Sequence, residues 1–332
     1  MKIHHVVGPL TLVLFATAAS GQEAATRNPF APNWGEPVET RGALTLDDKV
    51  FRLGRDAGES AAVTATAQAR AQSEEWKSRP YLADRGDGIH TSLFGTYVRR
   101  NELLVYLFYE YTRNRDAEYK PSELGFGLDR DFRAKREDHE ALIFAAYGIT
   151  DSLAVEFESA VYTTASQSKS RDDFSSMPQT FRESGLGDTE AQIRYRWFEE
   201  TEVRPELISF FEVVFPLQKN KHVIGTQDWE LNLGVNLTKG FPWGTLMLKG
   251  SYGYSAAEGD FEFGEYGIEY VKRLSDRWRL VLAIEGEQDE LSAIAEIQWK
   301  LRPNITIKLN SGFGLTSKAP DFAPEVGILF SF

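Results

Sequence analysis

From Leu103 to the terminal Phe332, apolar and polar residues alternate at period two in one segment after another. Alternation of this kind sends successive side chains to opposite faces of a strand, so each segment has one apolar and one polar face. Trp229, Leu231, Leu233, Val235 and Leu237 share one face, and Asp228, Glu230, Asn232, Asn236 and Thr238 share the other. Trp278, Leu280, Leu282 and Ile284 stand likewise against Val281, Ala283, Glu285 and Glu287. Ala191, Ile193, Tyr195 and Trp197 stand against Asp188, Glu190, Gln192, Arg194 and Arg196. About twelve such strands are expected, near 103–114, 138–149, 152–166, 187–198, 206–217, 228–239, 244–254, 263–273, 277–287, 291–301, 304–315 and 323–332.

A soluble sandwich also alternates, with its polar face towards water. Three features favour a closed antiparallel transmembrane barrel instead. The chain ends on Val326-Gly327-Ile328-Leu329-Phe330-Ser331-Phe332, an apolar strand that would be an aggregation hazard as an open edge. In a barrel it pairs with the first strand and faces lipid. Ile328, Phe330 and Phe332 resemble the C-terminal signal by which bacterial outer-membrane barrels are recognised by the assembly machinery. Secondly, the connections alternate between short turns such as Thr150-Asp151 and Arg302-Pro303 and longer polar loops such as 114–136 and 167–186. Thirdly, aromatics on the apolar face gather near strand ends as girdles: Trp197, Trp278, Trp299 and Phe330 at one rim, Tyr109, Tyr111, Trp229, Tyr252 and Tyr254 at the other. A Lys or Arg on that face near mid-membrane would cost about 2–4 kcal/mol, and the strands just named carry essentially none there.

Residues 1–21 read as a secretory signal peptide, with Lys2, the apolar run from Pro9 to Ala16, and the small residues Ala19-Ser20-Gly21 before Gln22. Residues 22–102 are polar and read as a periplasmic extension, partly helical or irregular, with a plug inside the barrel or a disordered tail as alternatives. Ala61 to Ala71 is its expected helix, and 88–102 is ambiguous between extension and barrel. Residues 103–332 form the barrel. The expected location is the outer membrane of a Gram-negative envelope, with lipid and lipopolysaccharide as surroundings. The chain has no cysteine, which excludes disulfides and thiolate metal sites. A net charge of −12 argues against a nucleic-acid partner.

Ser184-Gly185-Leu186-Gly187-Asp188 leads directly into Gln192-Ile193-Arg194-Tyr195-Arg196. This run, with Tyr147-Gly148-Ile149-Thr150-Asp151 and Phe215-Pro216, resembles a group of outer-membrane barrels assigned as transporters of the meta-pathway of phenol degradation. The resemblance covers roughly residues 103–332 and implies an outer-membrane barrel concerned with solute passage. The extension is not part of it.

On the same parity the lumen receives Glu110, Glu140, Glu156, Glu158, Asp188, Glu190, Glu212, Glu230, Glu265, Glu269, Glu285, Glu287, Glu296 and Glu325. Fewer bases join them: Arg194, Arg196, Lys249, Lys300 and Lys308. Glu156, Glu158, Asp188, Glu190, Arg194, Arg196, Glu212, Glu230 and Glu296 are the main pore-lining candidates. An internal salt-bridge ladder is the structural reading. The functional one is a narrow, porin-like passive channel that favours small cationic or neutral solutes, aromatic ones among them, with outer loops 1 and 2 folded inward. A structural or surface-interaction barrel is the alternative, in which Arg130, Arg133, Lys135 and Arg136 of outer loop 1 touch lipopolysaccharide phosphates. A lipid-modifying barrel hydrolase ranks lower. His139 falls on the lipid-facing parity near the outer rim, but Ser166 falls on lumen parity, so the two would not meet. No catalytic residue, metal ligand or cofactor is expected.

Overall fold

The structure, a computed structural model, describes residues 98–332 apart from Glu258. The signal peptide, the helix expected at 61–71 and the rest of 22–97 lie outside the described residues. Thirteen antiparallel strands follow one another: β1 (Leu103–Tyr119), β2 (Phe132–Gly148), β3 (Leu153–Ser168), β4 (Thr180–Gly185), β5 (Thr189–Phe198), β6 (Glu206–Val214), β7 (Glu230–Phe241), β8 (Gly244–Ser255), β9 (Asp260–Arg273), β10 (Trp278–Glu287), β11 (Glu290–Arg302), β12 (Ile305–Gly314) and β13 (Ala323–Ser331). The upper part of β3 pairs with β4 and its lower part with β5. These two short strands therefore share one place in the wall, and the sheet closes as a 12-strand barrel.

Closure is made by the terminal strand. Leu104, Tyr106 and Glu110 of β1 stand opposite Ser331, Leu329 and Glu325 of β13 on the inner face. Val105, Leu107 and Tyr109 stand opposite Phe330, Ile328 and Val326 on the outer face. Phe332 extends the seam, donating its N–H to Leu103 O at 2.9 Å and accepting from Leu103 N at 3.1 Å. No edge is left there for another chain to join.

Outside, the girdles form where the aromatic positions predict them. Trp278 stacks on Trp299 with centroids 5.6 Å apart, and Tyr195 meets Trp197 edge-on at 4.8 Å. At the opposite rim Phe215 meets Trp229 at 5.7 Å and Tyr252 meets Phe263 at 5.4 Å. Leu107, Phe157, Ile193, Leu233, Leu248, Leu282 and Ile284 are exposed between them, as a lipid-facing belt requires.

One expected parity fails. A bulge where Ala141 and Leu142 face Tyr162 and Ala160 adds a residue to β3 and turns its upper half over. Thr163, Ala165 and Gln167 face in, and Ser166 faces out, on the same side as His139.

The wall is uneven. The β1–β2 hairpin runs to Tyr119 and Phe132, so both ends of the stretch expected as outer loop 1 are strand and the loop itself shrinks to 120–131. The β6–β7 pair ends at Val214 and Glu230. Loop 3, residues 215–229, turns inward beneath the tall side. Its Val223 and Ile224 are buried with Tyr119, Leu124, Phe132, Ala165 and Met177. Arg136 belongs to this interior: it donates to Val223 O at 2.7 Å and pairs with Asp138 at 2.8 Å, so it does not face lipopolysaccharide.

At the other end the chain enters next to β2. Asn101 donates to Gly148 O at 2.7 Å, Arg100 bridges to Gly148, and Val98 is buried among Leu104, Phe144, Ala146 and Ala154. A Cβ at Gly148 would overlap the Arg99 carbonyl, which accounts for glycine in that motif.

Candidate functional site

Two polar ladders cross the lumen, and they differ in what separates their charges. The first spans β3, β5, β6 and β7, where Glu156, Gln192, Glu212 and Asn232 stand opposite one another in register. Each charge has a complementary neighbour. Arg194 Nε lies 2.8 Å from a Glu156 oxygen and donates to Gln192 Oε1 at 2.5 Å. Gln192 donates to Glu212 at 2.7 Å, and Asn232 donates to the other Glu212 oxygen at 2.8 Å. Glu156, Arg194 and Glu212 are buried, as such pairing permits.

The second ladder crosses the closing seam. Thr163, Glu140, Glu110, Glu325, Asn310 and Glu296 stand in one row across β3, β2, β1, β13, β12 and β11. Its middle is three consecutive carboxylates. Glu140 accepts from Thr163 at 2.8 Å, Glu110 from Thr112 at 3.0 Å, and Glu325 from the Tyr106 hydroxyl. The next inward positions below them are Leu142, Phe108 and Gly327, and no base interrupts the row until Lys308 beside Glu296, at 3.5 Å. Glu158 lies within electrostatic reach of Glu325, Glu140, Glu212 and Glu265, so acids from both ladders face a shared space.

Aromatic rings lie flat on the wall on both sides of this space. Glycine makes that fit: a Cβ at Gly327 would overlap the Tyr106 ring, and one at Gly234 would overlap Phe210. A lysine covers each ring, Lys308 at 4.9 Å over Tyr106 and Lys249 at 5.2 Å over Phe210. Lys249 is also paired with Glu265.

Of the sequence-derived candidates, Glu156, Arg194, Glu212 and Glu296 are buried on the inner face, and Glu158, Glu190, Arg196 and Glu230 are half-buried there. Arg196 belongs to the periplasmic end, between Glu199 at 2.7 Å and Glu206 at 3.5 Å. Asp188 sits in the break between β4 and β5 and accepts the Thr226 hydroxyl, which ties down loop 3. Sequence reading passed over Glu206, Arg273 and Arg279, all buried, though the alternation along β9 and β10 already places both arginines on the inner parity.

It also passed over an apolar inner wall formed by Leu104, Tyr106, Phe108, Leu142, Phe144 and Leu329. The signal was present: Leu103 to Tyr109 and Ala141 to Tyr147 are apolar on both parities, the mark of strands buried on two faces.

His139 lies outside at the outer girdle, its Nδ1 2.6 Å from the Tyr109 hydroxyl and its ring 4.8 Å from that of Tyr111. It stands opposite Thr164, not Ser166, and no bond joins it to Ser166 among the described residues.

No known protein family matches the sequence, and no curated protein matches it either. Solved structures do. The COG4313 outer membrane channel from Pseudomonas putida F1 is 14% identical, with a TM-score of 0.52 over 74% of this chain and 98% of that one. The fold is that of an outer-membrane barrel. Weaker likenesses are the translocator domain of the autotransporter NalP from Neisseria meningitidis and a KdgM porin in complex with disordered oligogalacturonate. The NalP domain is 12% identical, with a TM-score of 0.47 over 82% of this chain and 98% of that one. The KdgM porin is 6% identical, with a TM-score of 0.43 over 69% and 99%.

Proposed function

We propose that the protein is a narrow passive channel of the outer membrane that passes small cationic or neutral solutes, and that it is not an enzyme. The observation that carries this reading is the uninterrupted row Glu140–Glu110–Glu325. Neighbouring carboxylates with no base between them concentrate cations and repel anions, as rings of acids do in cation pores. The apolar inner wall beside the row gives a solute with a hydrophobic or aromatic body a surface to slide along. The likeness to phenol-pathway transporters rests on the motifs around Gly148, Asp188 and Phe215 and supports the aromatic part of the proposal. Its test is liposome swelling with matched solutes, a benzylammonium against a benzoate of similar size. Faster entry of the ammonium is expected, and equal or reversed rates would contradict the proposal.

A second reading has its own support. The Glu156–Arg194–Gln192–Glu212–Asn232 network braces four strands, from β3 to β7, as a structural barrel with a filled lumen would need. Swelling rates no faster than those of empty liposomes for every solute would favour it.

A further inference from the structure

The tall outer wall bears a group of side chains that the lumen does not use. On the outer face of β1–β4, rungs climb away from the aromatic girdle in register. Tyr109 and Tyr162 flank Ala141 on the first rung. Tyr111, His139, Thr164 and Ser184 make the second, and Arg113, Glu137, Ser166 and Arg182 the third. The third rung therefore lies just beyond the level where aromatic rings mark the membrane interface.

Its charges are not balanced among themselves. Glu137 is already held by Lys135 at 2.6 Å and by the Tyr111 hydroxyl at 3.0 Å. Arg133 is likewise held by Asp116 and Glu118, both at 3.2 Å. Arg113 and Arg182 make no ion pair among the described residues, and Arg113 Nε is buried without a hydrogen-bond partner. In a chain with a net charge of −12 this rung thus sets two arginines, Arg113 and Arg182, against Glu137 alone, while Arg115, Arg133 and Lys135 above it stand among Asp116, Glu118 and Asp321.

We propose that Arg113 and Arg182, with Lys135 above and the Ser166 hydroxyl between them, bind the phosphate of an outer-leaflet glycolipid, lipopolysaccharide. The two arginines stand three strands apart, roughly 14 Å at the usual strand spacing. Each long side chain can lean towards Ser166 from its own side, so together they embrace a headgroup. Guanidinium groups offer phosphate paired N–H donors, and the hydroxyl adds one more. The site's height selects a lipid headgroup, because the acyl chains of a molecule held there fall against Tyr109, Tyr162 and the belt below.

The full-length protein is folded into phosphatidylcholine vesicles containing lipopolysaccharide, extracted in mild detergent, and the retained lipopolysaccharide counted by native mass spectrometry. Wild type should retain it, and Arg113→Gln with Arg182→Gln should lower retention about fivefold or more. Lipopolysaccharide stripped of its lipid phosphates should be retained no better by wild type than the intact lipid is by the variant. Arg182→Gln alone, an exposed position, should give an intermediate loss. Heat-dependent gel mobility identical to wild type certifies that each variant is folded. Equal retention by folded variant and wild type, equal retention of the dephosphorylated lipid, or release of the bound lipid by inorganic phosphate would each overturn the proposal.

Discussion

The two luminal ladders use the same residue type to opposite ends. Along the row Glu156–Gln192–Glu212–Asn232 an amide separates one glutamate from the next, and Arg194 pairs with Glu156 and donates to Gln192. Across the seam three glutamates follow one another in register, accepting from the hydroxyls of Thr163, Thr112 and Tyr106. The difference is one of spacing by strand rather than composition: an intervening Gln192 or Asn232 makes a brace, and its absence leaves three carboxylates in register, the feature on which the proposed cation preference rests. The salt-bridge ladder and the proposed pore lining thus belong to two different rows of one lumen.

The contrast is broken most severely at Arg194. Arg194→Gln leaves Glu156 buried without its base, and the loss should be about 3–5 kcal/mol, with little change in ion selectivity. Urea unfolding in vesicles reads the first quantity and reversal potential the second. Gly327→Ala comes next: a methyl group drives the Tyr106 ring off the wall and away from Glu325, a cost of about 1–3 kcal/mol with reduced solute flux. Glu110→Gln with Glu325→Gln should do the reverse of Arg194→Gln. Stability holds or rises, while cation preference falls about fivefold, on the order of 1 kcal/mol.

The smallest effect concerns loop 2, outside the membrane. Burial raises the Asp173 carboxyl, but hydrogen bonds from Ser175 and from the Tyr119 hydroxyl outweigh it and hold the group below the ordinary aspartate range. A lowered carboxylate contributes stability above its unfolded value, near about 3.9, and loses it as pH falls through the lower folded value. Proteolytic nicking of loop 2 should accordingly stay constant from neutral pH to about 4, and the anchoring should weaken only below that. Asp173→Asn should remove this dependence.

Much of this was legible in the chain. Period-two alternation is a local property, so strand existence, the turn at Thr150-Asp151, a turn at Arg302-Pro303 that the structure moves one residue on, and pairing of the C-terminal strand with the first could be read from short windows. What escaped depends on contacts distant in sequence. An extra residue in β3 shows only when β2 is laid against it, so Ser166 changed faces unseen. The division of β4 from β5 at Leu186-Gly187-Asp188 reflects loop 3 crossing there, through Asp188 and Thr226. Arg136 reads as a surface base until Val223 is brought above it from 87 positions away. Most of the lumen's acids were named from parity, Glu206 and Asp138 being exceptions. Which of them stand shoulder to shoulder follows only from register across the closing seam, and register is what decides their role.

The most direct measurement is the reversal potential of wild-type protein in a planar bilayer under a potassium chloride gradient, beside that of Glu110→Gln/Glu325→Gln. A cation-directed potential in wild type that shrinks towards zero in the variant is the predicted result. An anion-directed potential, or a cation-directed one that the double substitution leaves untouched, would contradict the account.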